Sequence, residues 1–479
     1  MLCSCAHYCI WCKQIVQTGA NIRSIANRAD GRNIFKKYNN ISSKEVPLMK
    51  PLLRTLPLAA LLLPSIALAD DLNGANTAWI LTATALVLFM TLPGLSLFYG
   101  GLVRTKNVLS VLMQCFAIAC IASLIWFAFG YSLAFSEGNM IIGDLSKAFF
   151  NGMGKNSMSG DIPEPLFAMF QMTFVIITPA LIVGAFAERM KFSSVLISTV
   201  LWIPLVYAPV CHWVWGGGWL ASQFGVLDFA GGTVVHITAG VAALVTALMI
   251  GNRNGFPHTP MPPHNMTMTV TGAGMLWVGW FGFNAGSALS AGGDAAMAML
   301  VTHISAAAGS LAWMTIEWLK FGKPSVLGIV TGMVAGLGTI TPASGFVGPG
   351  GALVIGITAG VVCFYATQLI KRKLVIDDSL DVFPVHGVGG ILGTMLAGVF
   401  ASTSIGAFSG HGFADGIETM GAQVWSQFVG VITTIVFTAV MTYIIIKVTG
   451  WITGGIRVDK DEETQGLDLV LHDEAGYKL

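Results

Sequence analysis

The chain has 479 residues, of which 54% are hydrophobic and only 10% charged, and its formal net charge is +1. Soluble domains carry roughly 25% charged residues, so water is excluded as the main solvent of this chain, and the balanced charge gives no footing for nucleic acid. The apolar stretches are continuous rather than alternating, which excludes a transmembrane barrel and leaves helices of about 20 residues.

In chain order, residues 1–48 come first, and they are polar, basic and unlike the rest. Cys3, Cys5, Cys9 and Cys12 crowd this start. No His/Cys pattern follows at finger spacing, so no metal is assigned to them. Met49-Lys50-Pro51-Leu52-Leu53-Arg54 then leads an apolar run from Leu56 to Leu68, and Ala67-Leu68-Ala69 precedes Asp70. A basic start, a short apolar run and an A-x-A site make a secretory signal peptide at 49–69. Residues 1–48 are then an extension outside the working protein, and the mature N-terminus near Asp70 lies outside the membrane.

Eleven candidate spans follow, at about 77–101, 108–135, 165–187, 193–214, 229–251, 265–288, 294–319, 325–342, 350–370, 382–403 and 422–449. The expected fold is an all-α polytopic membrane protein with a transmembrane domain at 70–450 and a cytoplasmic tail at 451–479. An outside start and an odd number of spans put the C-terminus inside. Charge gives an independent test. Loops assigned inside hold Arg104, Lys106, Arg189, Lys191, Arg253, Lys320, Lys323, Lys371, Arg372 and Lys373, while those outside hold only Lys147 and Lys155. That is the asymmetry the positive-inside rule demands of an inner-membrane protein. The polar tail reads as a partly flexible segment.

Two segments echo one another. Span 5 opens with Asp228 and carries His236; span 10 opens near Asp381 and carries His386. Five spans separate them, so the two cross in opposite directions, the mark of an inverted five-helix pseudo-repeat with the pathway at its interface. Ionisable groups inside a bilayer are costly and point to function. Counting from Asp228, His236 lies about 12 Å down its helix, near mid-membrane. Either histidine taken singly reads as a packed core residue; the echoing pair reads as functional. Topology also gathers aromatic residues at the outer end: Phe170 at the start of span 3, Trp215 at the end of span 4, and Phe283 with Ser287 one helical turn apart in span 6. Trp215 and Trp219 would serve equally as interfacial anchors. The alternative is a cation–π site for a small cation, with the Ser287 hydroxyl accepting a hydrogen bond. Asp228 reads as an N-cap that orders this outer site rather than as a cation ligand. Glu188 and Glu317, at inner helix ends, read as interfacial.

From about Asn76 onward the chain resembles the ammonium transporter (Amt/Mep/Rh) family, in its bacterial branch. The resemblance rests on Phe98-Tyr99-Gly100-Gly101, on Asp228-Phe229-Ala230-Gly231-Gly232-Thr233-Val234-Val235-His236, on Trp280-Phe281-Gly282-Phe283-Asn284-Ala285-Gly286-Ser287 and on Asp381-Val382-Phe383-Pro384-Val385-His386-Gly387. Pro384 departs from the glycine usual in that family. The resemblance implies a homotrimer of eleven-span protomers, each with its own pore. It assigns Phe170, Trp215 and Ser287 to an external ammonium recruitment site and Phe170 with Phe283 to a stacked phenyl gate. It makes His236, His386 and Trp280 pore residues, gives Asp228 the role of organising the site, and gives the tail, from Gly455 through Asp468, contact with a PII-type signal protein.

The implied function is uptake of ammonium: recruitment outside, deprotonation near the gate, passage of ammonia past the histidines, and reprotonation inside. No enzyme chemistry and no cofactor are expected. An ammonium sensor of the same fold and an Rh-like gas channel are the alternatives; Trp215 argues against the second.

Overall fold

The computed structural model describes residues 72–477; the expected signal peptide at 49–69 and the extension at 1–48, cysteines included, lie outside them. The helices are α1 Gly74–Leu102, α2 Thr105–Phe135, α3 Glu164–Phe186, α4 Phe192–Ser222, α5 Gly232–Ile250, α6 Met266–Gly286, α7 Gly293–Phe321, α8 Val326–Ile340, α9 Pro349–Lys373, α10 Phe383–Phe400 and α11 Met420–Thr453. All eleven expected spans are therefore helical. Boundaries move by a few residues, most at the end of α4, where a short turn Trp219–Ser222 follows Gly216–Gly218. Among the described residues, nine of the helices are long and apolar enough to cross a membrane. The others are α8, with 15 residues, and α6, whose 21 residues are diluted by glycine and threonine.

Burial sorts the helices by role. α3 and α5 are the most enclosed and α11 the most exposed. α11 carries Trp425, 61% exposed, near one end and Trp451, 85% exposed, near the other. At 1.5 Å per residue the two stand about 39 Å apart, which matches the distance between the two interfacial layers of a bilayer.

The chain ends sort as well. The junctions α1–α2, α3–α4, α5–α6 and α9–α10 meet through Arg104, Glu188, Arg253 and Asp377. This basic end also receives the tail. The opposite, aromatic end holds the α4–α5 junction and a two-residue hairpin, β1 Met158–Ser159 with β2 Ile162–Pro163.

The internal echo is more exact than the sequence reading supposed, and its register differs. Asp228 accepts from the backbone N–H of Thr233, five residues on, at 2.8 Å. The residue that does the same for α10 is Asp378, which accepts from Phe383 N–H at 2.7 Å. Asp378, not Asp381, is thus the counterpart of Asp228, and each stands eight residues before its histidine. Asp381 falls instead on the position of Gly231. Both have left-handed backbone, with φ of 62° and 117°. Each helix then opens with a π turn, Gly232–Ile237 and Phe383–Gly387, and each turn contains the histidine. Such turns re-aim side chains and are frequent at functional sites. Glycine brings the two helices together: a methyl on Gly240 of α5 would collide with the backbone of Gly387 of α10.

The tail is folded, contrary to the reading of a partly flexible end. A capping box of Asp459 and Glu462 starts α12 Lys460–Gln465, and α13 Leu467–His472 follows. The carboxylate of Asp468 accepts from Leu109 N–H at 3.0 Å and Ser110 N–H at 2.7 Å, so it caps the first turn of α2. Leu467 is fully buried. Composition alone missed this because the polar groups find partners hundreds of residues away rather than in water.

Candidate functional site

A cavity of about 310 Å³ opens at the aromatic end, lined by Phe170, Trp215 and Ser287 together with Phe135, Phe167, Gln171 and Phe229. The three residues expected to meet there do meet. Two hydrogen bonds set the orientation of Trp215 and Ser287. Trp215 donates its indole N–H to the carbonyl of Asp228 at 2.8 Å, which fixes the ring. Ser287 donates its hydroxyl proton to Phe283 O at 2.9 Å, which leaves its oxygen lone pairs free to accept. Gln171 Oε1 is buried without a partner in the same lining.

Asp228 does not offer its carboxylate to the cavity. The oxygens accept from the N–H groups of Gly231, Gly232, Thr233 and Val234 at 2.8, 2.6, 2.8 and 3.3 Å, and from the Thr233 hydroxyl. That is the capping role read from the sequence, and through its own carbonyl it also holds Trp215.

Below the cavity the rings close. The ring stacked on Phe283 is Phe174, with centroids 4.2 Å apart and planes at 29°. Phe170, expected in that place, stands edge-on to Phe174 at 5.1 Å instead. Phe170 and Phe174 are one turn apart on the same face of α3, so spacing could not choose between them. Phe174 also stands edge-on to Trp215 at 5.7 Å.

The line of rings continues to the two histidines. His236 lies 6.3 Å from Phe283 and stacks on Trp280 at 5.6 Å, while Trp280 donates to the Thr341 hydroxyl at 2.8 Å. His236 and His386 are both buried, nearly parallel at 16°, and their Nδ1 atoms are 3.2 Å apart. A hydrogen bond between two Nδ1 atoms needs one proton, carried by one ring and accepted by the other. In two neutral rings, the acceptor then carries its own proton on Nε2, and the donor has a free Nε2 lone pair. One end of the pair can give a hydrogen bond and the other can accept one. His236 Nε2 is buried with no partner among the described residues. Beyond His386 a second cavity, of about 130 Å³, opens at the basic end, lined by Tyr99, Lys371, Asp381 and His386 among others.

The description Ammonium Transporter Family belongs to the family model that matches residues 78–477. The chain belongs to this family. It is 47% identical over 396 residues to an ammonium transporter of Bacillus subtilis, covering 82% of this chain and 96% of that one. It is 48% identical over 413 residues to an ammonium transporter of Aquifex aeolicus, covering 85% and 94%. Among solved structures, Saccharomyces cerevisiae Mep2 matches with a TM-score of 0.74 at 37% identity, covering 82% of this chain and 92% of that one. A sensor Amt protein matches with a TM-score of 0.75 at 28% identity, covering 83% and 98%.

Like the line of rings, the frame around this ammonium transporter family member's basic end was only partly legible. Glu188, read as interfacial, is 1% exposed and takes Arg104 and Arg253 on its carboxylate at 2.7 and 3.0 Å. Arg253 clamps Asp377 with two further bonds of 2.9 Å, a bidentate pair. Burial raises both carboxyls and is the largest single influence, but the arginines together outweigh it, Arg253 with Arg104 at Glu188 and Arg253 with Arg189 at Asp377, and hold both below their ordinary values. Asp378 has no such partner; burial, and then the charge of Asp381, push it up to about 6. The buried guanidinium of Arg189 ties together Ala185, Ala187, Gly251, Asp377 and Ser379. Sequence reasoning passed over Phe174, Asp378 and this network. The eight-residue spacing from Asp to His, present in both repeats, was the one signal that could have found Asp378.

Proposed function

We propose that this protein moves ammonium across the membrane by taking the cation at the aromatic cavity, removing a proton at the phenyl gate, passing ammonia along the two histidines, and returning a proton at the basic cavity. The observation that carries the reading is the Nδ1–Nδ1 hydrogen bond between His236 and His386, set in an apolar line of rings between two cavities. A bare cation in such a tube is very expensive. Ammonium can shed a proton and potassium cannot, so selectivity follows from chemistry rather than size. In this reading Phe174 and Phe283 form the gate, Phe170 buttresses it, and Trp280 with His236 forms the next step of the path.

The aromatic end faces outward and the basic end faces the cytoplasm. Support comes from the arginines and lysines gathered at the basic end. The protein works as a homotrimer with one pore per protomer, in line with the family resemblance. A PII-type signal protein docks at the basic end, where the folded tail packs beside the cavity. Truncation after Trp451 tests the tail: transport and membrane retention of a PII-type protein, both unchanged, would end its regulatory role. The higher identity to named transporters, 47–48% against 28% for the sensor, favours transport over sensing.

The deciding experiment measures currents in vesicles containing the full chain, with ammonium, methylammonium and potassium in turn. Wild type should pass ammonium and reject potassium. The double variant His236→Leu/His386→Leu should lose or alter charge movement and discriminate less. Wild-type currents and selectivity in that variant would return the histidines to packing residues.

A further inference from the structure

The two cavities are built to opposite electrostatic plans. Among the described residues, the aromatic cavity has no lysine or arginine in its lining, and it offers rings and free oxygen lone pairs. The basic cavity, next to His386, already contains a primary ammonium group. Lys371 Nζ sits 2.8 Å from Asp381 Oδ2 and 3.2 Å from the carbonyl oxygen of Ser379. Chemically this is an alkylammonium on a carboxylate, tethered where a free cation from that side would settle. The other Asp381 oxygen, Oδ1, is buried and has no partner among the described residues, so the carboxylate retains capacity to accept.

The backbone sets this carboxylate in an uncommon place. Asp381 has φ of 62°, at the position where the other repeat has Gly231. Glycine is most at ease in that left-handed region, and aspartate is among the few other residues that visit it. The repeat thus keeps an aspartate where its twin keeps the residue the geometry favours. Lys371 comes from the last turn of α9, and Arg372 and Lys373 continue it.

Building on the transport path and orientation proposed above, we infer that Lys371 is a specificity-determining residue. It is a fixed counter-ion that occupies the Asp381 carboxylate and so denies the inner cavity to cytosolic cations, potassium above all, while leaving neutral ammonia free to leave. The aromatic cavity receives cations and the basic cavity has its cation built in. Their difference makes cations bind more strongly at the outer cavity than at the inner one.

The test uses full-length protein in vesicles with the basic end inward, filled with potassium or with a bulky organic cation. Ammonium uptake is compared between the two fillings within each variant. Wild type and Lys371→Arg should show equal uptake in both. Lys371→Met exposes Asp381 to the filling, so uptake should fall about threefold or more when potassium is inside. The double variant Lys371→Met/Asp381→Asn should be insensitive again. Potassium sensitivity in wild type, or none in assembled Lys371→Met, overturns the inference. Should Lys371→Met fail to assemble, Asp381→Asn decides. It leaves Lys371 uncompensated and, at saturating ammonium, should slow efflux from loaded vesicles more than uptake; an unchanged ratio of saturated efflux to saturated uptake overturns the inference. Wild-type vesicles that take up no ammonium at all would instead sink the transport reading itself.

Discussion

Replacing Asp228 by asparagine is the substitution that best separates structure from chemistry at the aromatic end. The carboxylate accepts from four backbone N–H groups, those of Gly231, Gly232, Thr233 and Val234, and from the Thr233 hydroxyl. Asparagine keeps one acceptor oxygen, which can still serve Gly231 and Gly232. Its amide nitrogen then faces the N–H groups of Thr233 and Val234, donor against donor, in a buried site. Two unsatisfied buried donors cost about 1–3 kcal/mol each, so the loss should be roughly 2–6 kcal/mol. The damage also spreads to function, because Trp215 hangs from the Asp228 carbonyl and His236 follows the capped turn. The assay pairs thermal unfolding of the solubilised protein with uptake at low and saturating ammonium. Both should fall together for Asp228→Asn, with low-ammonium uptake hit hardest. A variant with the wild-type unfolding midpoint and no uptake would refute the capping argument. It would mean that the carboxylate acts on the cation itself.

Other outcomes follow from the same geometry. Phe174→Ala removes half of the stacked pair and should raise potassium leak currents well above those of Phe170→Ala, which leaves that pair intact; equal leak in both would deny the stacked pair its sealing role. Trp215→Leu should weaken capture at low ammonium by about 0.5–2 kcal/mol while sparing flux at high concentration, and an unchanged concentration dependence would make Trp215 an interfacial anchor only. Glu188 and Asp377 are held below their ordinary values, so the stability they contribute is present above the ordinary carboxylate range and is lost as pH falls through their lowered values. The unfolding midpoint should therefore drop on acidification below about pH 4, and less so in Glu188→Gln; a midpoint flat across that range would contradict the pairing.

Much of the molecule was legible before folding, wherever the physics is local. Eleven spans, the charge asymmetry between the two ends and the capped start of α5 depend on residues that are neighbours in the chain, so hydropathy, charge and capping patterns found them. His236 and His386 were legible for the same reason, since each sits in a short recurring motif. Phe170, Trp215 and Ser287 could be brought to one end because alternating spans settle which ends share a side.

Contact across helices was decided only by tertiary packing. Phe170 and Phe174 share a helix face, and only the approach of α6 selects Phe174 to stack on Phe283. Asp377 and Asp378 are neighbours in the chain, and only the approach of Arg253 from the α5–α6 junction puts Asp377 in a bidentate pair while Asp378 is left to cap α10. The tail looked like a solvated end because its polar residues have no partners nearby in sequence; Asp468 finds its partners at Leu109 and Ser110, across the whole length of the domain. Local patterns determine which segments must leave water and which residues must be capped. Which ring meets which ring, and which charge meets which, depends on helix crossings made possible by glycines such as Gly240 and Gly387, and those meetings exist only once the helices are packed.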